Sequence, residues 1–189
     1  VSGNISVKHS LTAKVNYDPL NKILYLMQDK PEDWFLISDQ KISDIIIKFV
    51  GKNEKNLINK KKERINKFGF TGCLNIFNSE LYEVEFFLSM GFCEDSLNIV
   101  SSKGNIKKIE VTDAFSDAID LDFSDLIVGD LIVSKAENDC LDVSSGNYKI
   151  EKSVFSYCGD KGISVGEKSN AVLNKVKINF SNIGIASKD

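Results

Sequence analysis

Leu97, Ile119, Leu141, Ile163 and Ile185 stand 22 residues apart each time. Ile106, Val128, Ile150 and Val172 keep the same step, and Ser96, Ala118, Cys140, Gly162 and Gly184 form a column of small residues. A fixed period of this length constrains the fold severely. One repeat is too short to bury its own apolar face, so neighbouring repeats must stack and share a continuous core.

Each repeat contains two stretches of alternating character. The first reads Leu97-Asn98-Ile99, Ile119-Asp120-Leu121, Leu141-Asp142-Val143 and Ile163-Ser164-Val165. Apolar, polar, apolar is the signature of a strand with one buried side. The second stretch is Ile106-Lys107-Lys108-Ile109-Glu110-Val111 and its equivalents, rich in β-branched residues and too short for a helix. Gly104, Ser124, Gly146, Gly159 and Ser169 supply turns between them. Two or three strands in each turn of 22 residues predict an all-β fold, a right-handed parallel β-helix. Its strands should stack about 4.8 Å apart.

The register extends upstream. Leu74 precedes Leu97 by 23 residues, and Phe35 and Ile45 precede Leu74 and Val84 by 39. An insertion of about 17 residues into one coil accounts for that gap, and the basic run 52–68 supplies it, with Lys52, Lys55, Lys60, Lys61, Lys62, Arg64 and Lys67. The plain reading of this run is a solvated, mobile loop; the sharper one is a contact for an acidic polymer. The expected layout is a hairpin or cap over residues 1–32 and a β-helix of about six coils over 33–189. In the cap, Ile5, Val7, Leu11, Ala13, Val15 and Tyr17 alternate with polar residues as one long strand. A turn at Asp18-Pro19-Leu20-Asn21 then leads to a second strand over 22–28.

Length and composition bound the rest. A chain of 189 residues makes one domain with a substantial core. The net charge of −3 argues against general nucleic-acid binding. No apolar run reaches the roughly 18 residues that a membrane span needs. No signal peptide is visible, and both termini read as boundaries within a longer chain. Cys73 and Cys140 share the small-residue column three coils apart, about 14 Å. That is beyond disulfide reach, and Cys93 and Cys158 fall in other columns. Four free, buried thiols are expected. His9, the single histidine, lies on the apolar side of the first strand and is expected to be structural, packed or partly exposed; one histidine argues against a serine or cysteine triad and a multi-histidine metal centre.

Repetition also stacks charge. Asp95, Asp117 and Asp139 share a column at the turn entering the first strand, and Lys161 is next in it. Asp120 and Asp142 share a second, outward-facing column, with Asn98 below and Ser164 above. Glu94, Asp122 and Asp160 lie near these columns. Carboxylates one strand spacing apart repel, so some must bind a cation, pair with lysine or take up a proton. Oxygen ligands of this kind suit Ca²⁺, and Asp117, Asp139 and Asp142 are the metal candidates. The bland alternative is a solvated polar face.

The segments Ser116-Asp117-Ala118-Ile119-Asp120, Asn138-Asp139-Cys140-Leu141, Lys161-Gly162-Ile163-Ser164-Val165-Gly166 and Gly184-Ile185-Ala186-Ser187-Lys188 resemble the successive active-site coils of the polygalacturonase family. The likeness covers about 75 residues, from Phe115 onward. It implies a right-handed parallel β-helix acting on pectin. Two family aspartates fall on Asp117 and Asp139, and the third falls on Asn138. The family histidine falls on Lys161, the arginine on Ala186 and the lysine on Lys188. Inverting hydrolysis needs one carboxylic acid and one carboxylate base; Asn138 has no acidic proton and Ala186 cannot hold a substrate carboxylate. Hydrolysis is therefore not expected. The chain is also similar to the β-helix repeat domains of bacterial surface and polysaccharide-processing proteins.

Two functions follow as expectations. The first is a secreted or cell-surface solenoid that binds polysaccharide or serves as a scaffold, with Asp120, Asp142, Asn138 and Asp160 as ligand-binding residues and no required cofactor. The alternative is a lyase or epimerase of a uronate polymer. There Lys161 or Lys188 would act as base, and Ca²⁺ would lie over the substrate carboxylate beside Asp117, Asp139 or Asp142.

Overall fold

The computed structural model describes residues 5–52 and 65–188. No helix occurs among them, and the stacked parallel coils make about seven turns of a β-solenoid. The chain opens on β1 (Lys8–His9), β2 (Lys14–Asp18) and β3 (Ile23–Met27). The coils then run through β4 (Phe35–Ser38), β5 (Lys41–Ser43) and β6 (Ile46–Val50), and next through β7 (Gly72–Phe77) and β8 (Glu80–Ser89). They continue through β9 (Asp95–Val100) and β10 (Lys103–Ala114), and β11 (Asp117–Asp122) and β12 (Asp125–Ala136). Last come β13 (Leu141–Ser144), β14 (Gly146–Val165), β15 (Ser169–Leu173) and β16 (Val176–Ser187).

These strands build three faces. The first contains β4, β7, β9, β11, β13 and the last residues of β14 and β16, all parallel. The second contains β5, the starts of β8, β10, β12 and β14, and β15. The third contains β3, β6, the later parts of β8, β10, β12 and β14, and the start of β16. On the first face, Phe35, Leu74, Leu97, Ile119, Leu141 and Ile163 are fully buried in one interior column. Ile185 continues that column but is 51% exposed, because no described coil stacks on it. The second column holds at Ile106, Val128 and Ile150 and then shifts: Leu173, not Val172, faces Ile150. One extra residue in the turn after Val165 causes the shift and leaves Val172 half exposed.

The amino-terminal segment is a cap, and not one continuous strand. β2 and β3 form the expected antiparallel hairpin, and β1 pairs antiparallel with β4. The strand breaks between them because Ser10 and Thr12 both donate their hydroxyls to the buried Asp33 carboxylate. The backbone N–H groups of Asp29 and Lys30 donate to the same carboxylate, each at 2.9 Å. Burial alone would raise the pKa of Asp33; the four donors outweigh it and hold the group below the ordinary aspartate value. His9 is exposed and rests near the Phe35 ring.

Of the basic insertion, residues 53–64 lie outside the described residues. Its described ends are anchored: the Lys52 N–H donates to Gln28 Oε1, and the Phe68 ring meets Trp34 edge-on at 5.1 Å, with the Lys67 ammonium over Trp34.

The thiols correct the sequence reading. Cys73 is bonded to Cys93 and Cys140 to Cys158, each with Cα atoms 5.4 Å apart, and no described cysteine is free. Residues separated by 20 and 18 positions are almost one full turn apart. The chain has come round to the corner beside its starting point, one rung away. Comparing positions only within a column misses this geometry.

The corners are left-handed. Asp39, Asn78, Ser101, Phe123, Ser145 and Lys168 have positive φ between the first and second faces. Met90, Asp113, Lys135, Tyr157 and Phe180 do so where the third face bends toward the first.

Candidate functional site

The outer side of the first face is a polar ladder. Asn75, Asn98, Asp120, Asp142, Ser164 and Ala186 stand in register on consecutive coils. Strand alternation puts them opposite the buried Leu and Ile columns. At the lower end, Asn75 donates to the carbonyls of Phe35 and Gly72 and accepts from the Gly72 N–H. A Cβ at Gly72 would come within 2.6 Å of Asn75 Oδ1 and 2.8 Å of Asn98 Cβ, so the ladder needs glycine there. Asn98 Nδ2 donates to Asp120 Oδ2 at 3.2 Å.

A second row runs beside it, through Asp95, Asp117, Asp139 and Lys161. Each upper coil reaches down to the carboxylate below. The Asp139 N–H donates to Asp117 Oδ1 at 2.8 Å, and the Lys161 N–H donates to Asp139 Oδ1 at 2.9 Å. Asn138 Nδ2 adds a bond to Asp117 at 2.7 Å. The Lys161 ammonium lies 3.3 and 3.4 Å from the two Asp139 oxygens and pairs also with Asp160. At the bottom of the row, Asp95 is buried and its Oδ2 has no hydrogen-bond partner.

Electrostatics sets this trough apart. Burial pushes Asp95 up to about 7, helped by Asp117, Glu94 and Asp122 and opposed by a hydrogen bond from Thr71. Burial pushes Asp117 up to about 6, against the bonds from Asp139 and Asn138. Asp120 rises to about 9 through burial and the charges of Asp95, Asp122 and Asp142. Burial also raises Asp122, which is hydrogen-bonded to Asp120, and Asp142, where Lys188 partly offsets the rise. The raised carboxyls titrate as one coupled group, which retains protons at neutral pH that isolated aspartates would have lost.

The structure thus joins Asp117, Asn138, Asp139, Asp160 and Lys161 into one hydrogen-bonded chain, with Asp120, Asp142 and Lys188 on the adjacent column. It does not gather Asp117, Asp139 and Asp142 as a metal cage. Among the described residues, no group of three or more His, Cys, Asp or Glu side chains is placed to hold a metal ion. The carboxylates of Asp117 and Asp139 are taken up by the coil above. Lys161 is also unsuited to act as a base, because its bonds to Asp160 and Asp139 outweigh burial and raise its pKa. Asp95 and Asp122 are the members that sequence reasoning placed near the site without assigning them to it. Their signal was the shared spacing; their burial was not readable from it.

Comparison with family models, curated proteins and solved structures found no match for this chain. The resemblance to polygalacturonases gains no support from them. The fold places the chain among parallel β-solenoids, and its site is a buried ladder of carboxyl groups on one face.

Proposed function

We propose that this chain is a non-catalytic solenoid that binds an extended polysaccharide along its first face, outside the cell or at its surface. The carrying observation is the part-exposed, in-register pair Asp120 and Asp142, held between the buried Asn98 and Ser164 and beside the buried Asp95. Its carboxyls occur in both protonated and ionised forms at neutral pH. A sugar hydroxyl can donate to the ionised members and accept from the protonated ones without adding charge. The ladder repeats at one strand spacing, which favours a repeating ligand. Two disulfides in a domain of this kind support an oxidising compartment.

One observation favours a second reading, acid–base chemistry on the same glycan. Asp117 at about 6 and Asp120 at about 9 are neighbours whose environments push their pKa values apart, a pattern shared by paired catalytic carboxyls. In that reading the chain is a uronate lyase or epimerase, with Asp117 in place of Lys161 as base and any Ca²⁺ brought in with the uronate rather than held by a cage of this chain's described carboxylates. A glycan array tests binding. The ultraviolet absorbance of unsaturated products, measured with and without Ca²⁺, tests turnover. Binding without product supports the solenoid; product formation that Asp117→Asn abolishes supports the enzyme.

A further inference from the structure

Three corner positions carry large aromatic residues in the left-handed region: Phe123 at φ 50°, Tyr157 at 59° and Phe180 at 58°. Bulky side chains rarely adopt this conformation, and asparagine or glycine would fit it with less strain. These rings gain little from burial: Phe123 is 65% exposed and Tyr157 60%, while Phe180 is 71% exposed on the last described coil. Strain and exposure together are unfavourable, and at two of the three sites the rings are arranged relative to each other. Tyr157 and Phe180 occupy the same corner on consecutive coils, with centroids 4.8 Å apart and planes 9° from parallel.

The pair forms one wall of an open hollow of about 510 Å³. Lys135, Glu137, Ser181 and Asn182 stand around it. Lys135 pairs with Glu137 at 3.2 Å, so the single ammonium of the lining is matched by its single carboxylate, and Lys135 pairs again, at 3.5 Å, with Asp113 outside the lining. An anionic ligand would find no uncompensated cation there. A neutral one would find an apolar wall beside donors and acceptors, which is the composition of a small-ligand site.

We propose that the Tyr157–Phe180 stack is a platform for a neutral pyranose, packing the C–H face of the sugar on the rings while its hydroxyls reach Glu137, Ser181 and Asn182. This rests on the reading of the chain as a glycan-binding solenoid. It places a second contact at a corner separate from the carboxyl ladder and narrows the ligand to uncharged sugars.

The test is a titration with cello-, xylo- and manno-oligosaccharides and with oligogalacturonate, followed through the ring resonances of Tyr157 and Phe180. Wild-type protein, Tyr157→Ala, Phe180→Ala and Asp120→Asn are compared, each checked for β-rich circular dichroism. A neutral oligosaccharide should shift both rings, oligogalacturonate should not, and either alanine variant should weaken binding about tenfold. Neutral sugar bound with full affinity by both alanine variants, but lost in Asp120→Asn, would overturn the platform and leave first-face binding standing. Ring shifts and overall affinity that both survive Asp120→Asn unchanged would uphold the platform and remove the first-face ladder from recognition. No response to any sugar would overturn both.

Discussion

Lys161 reaches Asp139 twice, through its backbone N–H at 2.9 Å and through its ammonium at 3.3 Å. The pair is enclosed, with side-chain exposures of 18% for Lys161 and 5% for Asp139. Removing one partner of such a pair leaves a buried charge uncompensated. Lys161→Ala should therefore cost about 3 kcal/mol, or roughly 6–12 °C in melting temperature. Adding Asp139→Asn should recover part of the loss. Wild-type protein should not respond to millimolar Ca²⁺, whereas Lys161→Ala should gain a Ca²⁺-dependent rise, because the cation replaces the missing ammonium. Equal melting curves for wild type and Lys161→Ala would show that the pair is not a structural clamp.

The trough makes stability depend on pH in a distinctive direction. Asp117, Asp95 and Asp120 have folded-state values of about 6, 7 and 9, against roughly 3.9 in an unfolded chain. Groups with raised values bind protons more tightly when folded. Their contribution is fully present below about pH 4 and is lost as pH rises through the folded values. Asp33 has a lowered value and acts oppositely, losing its contribution as acid protonates it. The melting temperature should peak near about pH 5 and fall toward pH 9, and Asp120→Asn should flatten the alkaline fall. A melting temperature that climbs steadily from pH 5 to 9 would contradict the assigned burial of these carboxyls.

Both disulfides close nearly complete turns, across 20 and 18 residues. Loops of that length correspond to about 3 kcal/mol each on chain-entropy grounds. None of the four cysteines should react with a thiol reagent in denaturant before reduction. Reduction should lower the melting temperature by more than roughly 10 °C. Free thiols in unreduced protein would remove both the staples and the compartment argument drawn from them.

Phe123 isolates the strain of the corners, since it is exposed and left-handed and the described rings include none stacked on it. Phe123→Asn should relieve about 1 kcal/mol. Scanning calorimetry should show a gain of roughly 2–4 °C. A loss would mean that the ring stabilises the folded chain through contacts at that corner.

How much of this was legible in the sequence depends on which kind of spacing carried it. Leu97, Ile119, Leu141 and Ile163 were readable as one column because a strand repeat places equal positions above one another. Leu173 was not, because a single added turn residue shifts the register without breaking the alternation. The Cys140–Cys158 bridge escaped for a related reason: contacts around a coil join positions slightly less than one period apart. Asp120 and Asp142 were readable as neighbours, but the enclosure that raises the pKa of Asp120 comes from the surrounding coils. The left-handed corners were least visible, since Phe123, Tyr157 and Phe180 are residues that turn chemistry would not select.

The most direct test of first-face recognition is affinity as a function of oligosaccharide length, measured calorimetrically on wild type and on Asp120→Asn/Asp142→Asn. The part of the ladder from Asp120 to Ala186, where Ser164 is the one buried rung, spans three strand spacings, about 14 Å. Affinity should rise with chain length until the ligand fills that span and then level off, and the double variant should lose the length-dependent part. Affinity that is independent of length, or unchanged in the double variant, would contradict binding along the carboxyl ladder.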